Sequence, residues 1–172
     1  TTVEVDGRVR SPNHEREGVE PTRQFLDRLR APSALVVAVE VLVHHHLAPA
    51  NFVSQAASPR AYRRLARKLD VGGMNARILH RLAEADHFGR TTADALAREF
   101  PAGAEFLRQA ELLELEEAGE PDVVLGRHLI AHGREPGPGF AEILERCREI
   151  QDETGWKSSE QILERYFAED LE

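Results

Sequence analysis

Cysteine is nearly missing from this chain: of 172 residues only Cys147 is a thiol, and there is one tryptophan and one methionine. A single thiol excludes an intrachain disulfide and any zinc site built from several cysteines. It fits a reducing compartment, so a cytoplasmic location is the expectation. Glycine occurs as punctuation, with neither the GxGxxG spacing of a dinucleotide loop nor a P-loop. Gly137-Pro138-Gly139 cannot substitute, because Pro138 has no amide to offer a phosphate. No motif lifts a serine onto a strained elbow, so a Ser-His-Asp hydrolase has no support. A secretory signal peptide is not expected. The most apolar stretch, Ala34 to Leu47, is long enough for a helix and too short to span a bilayer, so no membrane partner is expected.

What is present suits a folded core. Hydrophobic residues make up 41% and charged residues 30%, which fits one domain or two small helical ones. Net charge is -8 and the pI about 5.5. The chain as a whole therefore repels nucleic acid, and any RNA contact needs a local basic patch. The periodicity predicts an all-α fold of about eight helices. Before them, Asp6-Gly7 marks a turn between short alternating segments, which reads as a small hairpin or an extended arm.

Pro21 fits the first turn of a helix ending near Arg30, and Ser33 caps the next. Ser58-Pro59 opens another. A helix follows from about Met74 to His87, then a short one from Thr91 to Phe100, ended by Pro101. The reading continues with a helix from Gly103 to Gly119, acidic from Glu111 to Glu117, and a short one closed by Gly133. Amphipathic helices then run from Gly139 to about Gly155 and onward from Ser158, which with Gln161 resembles a capping box.

Three features carry chemistry. The apolar helix ends in His44-His45-His46. Successive residues differ by about 100° around a helix, so at most one or two of these imidazoles point inward together. A buried imidazole is a metal ligand, a proton carrier or a hydrogen-bonded core residue. Asp86 stands at a helix C-terminus, where the dipole disfavours a carboxylate, so a cation, a metal or solvent must offset it, and Arg90 is the simplest partner. Arg60, Arg63, Arg64, Arg67 and Lys68 share one face of a helix whose other face carries Tyr62, Leu65 and Leu69. That face is either a track for a phosphate backbone or a solvated face paired with neighbouring acids.

Four stretches together resemble the helical C-terminal part of bacterial CCA-adding tRNA nucleotidyltransferases that carry an HD-type phosphohydrolase domain. They are Asn13-His14-Glu15 with Gly18 and Phe25-Leu26; Leu42 to Pro49; Ala85-Asp86-His87-Phe88-Gly89-Arg90; and Val124 to Ile130 followed by Gly133 and Pro136-Gly137-Pro138. The resemblance covers most of the chain and implies an HD-like helical bundle over residues 1–100 and a helical body or tail over 101–172. It implies tRNA as partner, a divalent metal as cofactor, and His14, His46 and Asp86 as metal ligands, with His45 a weaker match. The family's nucleotidyltransferase head, with its paired aspartates, is not in this sequence, nor is the early His or the His-Asp doublet of the HD domain. Thr1-Thr2-Val3 looks like the sequence just after that doublet, so the expectation is a fragment of a longer chain, with the head supplied in cis or in trans.

The sequence departs from the family at His128, where many relatives have Asp, and in the acidic run Glu111 to Glu117. The implied function is to cradle tRNA through Arg60, Arg63, Arg64, Arg67 and Lys68. The alternatives are a metal-dependent HD phosphohydrolase acting on phosphomonoesters or 2′,3′-cyclic phosphates, and a helical interaction module, including a homo-oligomer. No catalytic residue is assigned, and the sequence leaves enzyme activity by this chain alone open.

Overall fold

The structure, a computed structural model, describes residues 3–5 and 8–169. The chain is all-α, as expected. Eleven helical segments are described: α1 (His14–Glu17), α2 (Val19–Arg28), α3 (Ser33–His45), α4 (Ala48–Ser54), α5 (Pro59–Val71), α6 (Ala76–Phe88), α7 (Ala93–Leu96), α8 (Pro101–Leu112), α9 (Gly126–Ala131), α10 (Phe140–Thr154) and α11 (Ser159–Glu169). Two of them, α1 and α7, have only four residues. The strands β1 (Val3–Val5) and β2 (Arg8–Arg10) pair antiparallel, with Glu4 opposite Val9. The expected turn at Asp6-Gly7 lies outside the described residues.

The chain forms two compact units. The first takes the residues up to Ala57 and Leu65–Gly119; the second takes Ser58–Arg64 and the residues from Glu120 on. This division falls after Gly119, not near residue 100, because α8 packs on α4 and α6 and so belongs to the first unit. Phe106 of α8 is fully buried and meets Phe52 of α4 edge to face, with ring centroids 6.0 Å apart. Leu69, Leu79 and Leu115 are buried in the same unit. Each such side chain contributes about 1.5–3 kcal/mol through removal from water.

Helix α3 is less buried than its composition suggests. Val36, Ala38 and Glu40 are buried, while Leu35 and Val37 are exposed. Glu40 is tolerated there because Arg23 of α2 donates to its carboxylate at 2.8 Å. Taken with α4, the stretch Ser33–Ser54 is 22 residues of mean hydropathy 1.3, by length and composition alone enough to cross a membrane. A break at His46-Leu47 divides it, and Pro49 sits in the first turn of α4.

Several helices stop at a residue in the left-handed conformation that is not glycine. Arg30, Ala56, Arg98 and Glu114 have φ of 53°, 49°, 57° and 58°. At Glu114 the amide donates to Glu111 and that of Leu115 to Ala110, the paired bonds of a Schellman end. This corrects the expected helix from Gly103 to Gly119. Helix α8 ends at Leu112, and Leu115 turns back into the core while Leu112 stays exposed. Pro101 likewise begins α8 in place of ending a helix, as suits a residue with no amide to lose in a first turn.

In the second unit Val124, Leu129, Cys147, Ile150, Ile162 and Leu163 form one apolar cluster. Gln151, buried at 2% exposure, fastens the approach to α9. Its amide nitrogen donates to Pro121 O at 2.9 Å, and its oxygen accepts from Val123 N at 3.1 Å. The capping interaction read at Ser158 is present, with Gln161 N donating to Ser158 Oγ at 3.4 Å.

Candidate functional site

His14 and His46 meet, although 32 residues separate them. His14 opens α1, and His46 follows the last residue of α3. Their Nε2 atoms are 3.0 Å apart and their ring centroids 4.9 Å apart. The other ring nitrogens are fixed by backbone: His14 Nδ1 lies 2.8 Å from Ser11 O, and His46 Nδ1 lies 2.7 Å from Val43 O. A carbonyl oxygen only accepts, so each Nδ1 carries the hydrogen. That leaves two Nε2 lone pairs facing each other, an arrangement satisfied by one shared proton or by a cation. Fixing Nδ1–H on a carbonyl is also how a metal-binding imidazole is oriented.

The rest of the expected ligand set is not gathered there. Asp86, in the last turn of α6, pairs with Arg90 at 2.5 Å, the simplest partner the sequence offered. Among the described residues no group of three or more His, Cys, Asp or Glu side chains could hold a metal ion. Protein zinc sites take three or four such ligands. At this contact the described residues supply two imidazoles, half of a four-ligand set.

The three adjacent histidines divide as helix geometry requires. His44 is exposed, while His45 and His46 are partly buried. The His44 and His45 rings stack edge to face at 4.6 Å. Burial, reinforced by His44 and Lys68, pushes His45 down to about 4. His87 was given no role in the sequence reading and is the most buried histidine, at 9%. Its Nε2 donates to Glu99 O at 2.9 Å, and its ring stacks on Phe100 at 4.6 Å. It joins the end of α6 to the entrance of α8. The only sequence signal was its place next to Asp86, one position off the expected ligand.

The five cations of α5 do not form one free track. Arg60 pairs with Glu153 at 3.0 Å. Arg63 lies 3.5 Å from Glu120 and donates to Asp152 O at 3.2 Å. A β-carbon at Gly155, whose φ is +70°, would run into the Arg63 guanidinium. Arg60 and Arg63 therefore help build the second unit. Arg67 is partly buried, and Arg64 and Lys68 are exposed. The apolar face read for this helix is present: Tyr62, Leu65 and Leu69 are all buried.

His128, where many members of the resembled family have Asp, caps α9. Leu125 N donates to its Nδ1 at 3.1 Å. An acceptor side chain three residues into a helix satisfies an amide at its start, which Asp also does. The acidic run is likewise structural in part: Arg77 pairs with Glu111 at 3.0 Å and also with Glu116 and Glu117.

No protein-family model, no curated protein and no solved structure matches the chain.

Proposed function

We propose that this chain is the helical, RNA-contacting part of a tRNA nucleotidyltransferase that adds CCA to tRNA 3′ ends, working with a catalytic head that this sequence does not contain. The observation that carries the reading is the order of four family-like stretches along an all-helical chain. His14 and His46, which come from the first two of those stretches, are in contact, and this supports it. The RNA-facing set is Arg64, Lys68 and Arg67. Arg60 and Arg63 back it from within the fold through their pairing with Glu153 and Glu120. Contacts of this kind grip phosphates and recognise shape, without reading bases.

The test is tRNA affinity as a function of salt, by filter binding or anisotropy. Two or three phosphate contacts give a log–log slope of roughly -2. Arg64→Glu with Lys68→Glu lowers affinity by about tenfold or more and flattens that slope. Arg60 and Arg63 are left unchanged so that the fold is not disturbed. Affinity indifferent to both reversals removes the patch, and no binding of tRNA by the chain removes the proposal.

A second reading is favoured by the His14–His46 contact: a portion of an HD-type phosphohydrolase, with these two imidazoles as ligands and the remaining ligands elsewhere. Titration with zinc or manganese, read by calorimetry, tests it. Binding lost in both His14→Ala and His46→Ala supports this reading. No binding, with no cleavage of a phosphomonoester or a 2′,3′-cyclic nucleotide by a chain extended to include the missing ligands, rejects it.

A further inference from the structure

The cleft between α6 and α8, within the first unit, is a cavity of about 540 Å³ that neither the resemblance nor the histidine pair uses. That volume is in the range of ligand pockets and holds more than one side chain. Its lining is aromatic and rigid on one side. Phe100 stacks on buried His87, and a β-carbon at Gly103 would overlap the Phe100 ring, so this ring is wedged in place. From α6 come His80, Glu84 and Phe88, at four-residue spacing on one face.

The charges of the cleft have an acid in excess. Arg108, which also lines it, is held by both oxygens of Glu105 at 2.7 Å, and Glu111 is shared with Arg77. Glu84 and Glu99 have no ion-pair partner among the described residues, and Arg98 is the one further cation of the lining. The guanidinium carbon of Arg98 stands 5.1 Å from the Phe88 ring centroid. The chain thus already seats a cation on this aromatic wall. Arg98 is an exposed side chain on a residue at φ 57° that closes α7, with Glu99 N bonded to Asp94 O. Its guanidinium can swing away without loss of that backbone bond.

We infer that this cleft receives an arginine or lysine side chain presented, with apolar neighbours, by a partner polypeptide. The cation lies against Phe88, beside a Phe100 ring already stacked between His80 and His87, and Glu84 and Glu99 meet its charge. Cation–π contact and charge complementarity supply the attraction, and the apolar neighbours cover Ala104 and Leu107. A nucleotide phosphate is the disfavoured occupant, because the unpaired carboxylates repel it.

The experiment is fluorescence anisotropy of a labelled peptide, Gly-Leu-Arg-Leu-Arg-Leu-Gly, with the full chain at about 50 mM salt, where screening is modest. Saturable binding is expected, with the norleucine-for-arginine peptide about tenfold weaker. Glu84→Gln with Glu99→Gln is expected to weaken binding by about fivefold or more. Arg98→Ala is expected to tighten it by about threefold, since the internal competitor for Phe88 is gone; a merely structural Arg98 would not give that sign. All three substitutions are at exposed or partly exposed positions, and unchanged thermal unfolding checks the fold. No saturable binding overturns the inference. So does equal affinity for the norleucine peptide, indifference to the two glutamine substitutions, or displacement of the peptide by AMP.

Discussion

The two units solve the problem of stability differently. The second surrounds a small apolar cluster with arginine–carboxylate pairs: Arg146 with Glu149 and Glu169, Arg148 with Asp122 and Glu145, Arg165 with Glu153 and Glu169. Among its described residues it exposes two large apolar side chains, Leu125 and Ile130. The first unit leans on packing between helices and leaves Phe25, Leu29, Leu35, Val37, Val71, Leu96 and Leu112 in solvent. The lesson is that apolar content and apolar burial are separate quantities. Helix α3 has the most hydrophobic composition, yet of its 13 residues the buried ones are Val36, Ala38 and Glu40, while the charged helix α10 supplies the centre of a closed core.

The largest expected effect breaks the first unit. Phe106→Ala removes its central fully buried ring and leaves Phe52 facing a void, at a cost of about 3–5 kcal/mol. Native-state hydrogen exchange should show protection falling along α4, α6 and α8. Protection in α10 and α11 is expected to hold, and equal loss in both units would erase the division between them. Next comes Gln151→Ala, which attacks the polar fastening of the second unit. It strands the Val123 amide and the Pro121 carbonyl, at about 2–3 kcal/mol. Urea unfolding measures this, and a loss below about 0.5 kcal/mol would mean that water replaces the amide without penalty.

How much of this was legible in the sequence depends on the signal each element used. Helix starts were readable where a residue has one job, although Ser33, read as a cap, is the first residue of α3 and makes no side-chain cap, and Pro101, read as a stop, opens α8. Ser158 and Pro59 stand where their chemistry puts them, and the α10 stripe of Phe140, Ile143, Leu144, Cys147 and Ile150 faces its core as spaced. Helix ends were less readable. Glycine is the usual left-handed stop, yet Arg30, Ala56, Arg98 and Glu114 take that role here. Their side chains give no local hint of it; tertiary burial of the next residue, Leu115 after Glu114, decides. The candidate site split the same way. The His14–His46 contact lay across helices and was suggested only by resemblance. The fate of Arg60 and Arg63 depended on acids about 60 to 90 residues away in sequence, Glu120 and Glu153, which no local pattern reveals.

A smaller effect sharpens the comparison through pH. His45 of the first unit is held neutral, with its ordinary value of 6.5 pushed down to about 4, chiefly by burial. The unfolded chain takes up a proton below its ordinary value and the folded chain does so only near 4. Between those values the unfolded state binds more protons, so stability falls as pH falls, and the full contribution is present above about 6.5. Because the ring is only half buried, the loss by about pH 5 is about 1 kcal/mol after allowance for screening. His45→Gln should flatten that part of the profile for the first unit, measured by urea unfolding at several pH values with a chelator present. An unchanged profile would place the titration elsewhere.

The smallest expected effect is the most discriminating for α2 and α3. If the exposed apolar side chains of the first unit are truly outside its core, changing them costs little. Leu29→Gln, at a side chain 63% exposed, is expected to shift stability by no more than about 0.5 kcal/mol, and Leu35→Gln, at 48%, by little more. Both lie close to the ends of their helices, so neither replacement disturbs a central turn. The polar side chains are expected to raise solubility, because contiguous apolar surface promotes association. A loss of about 2 kcal/mol from either would mean that these residues are buried in solution, against the exposure on which the contrast between the units rests.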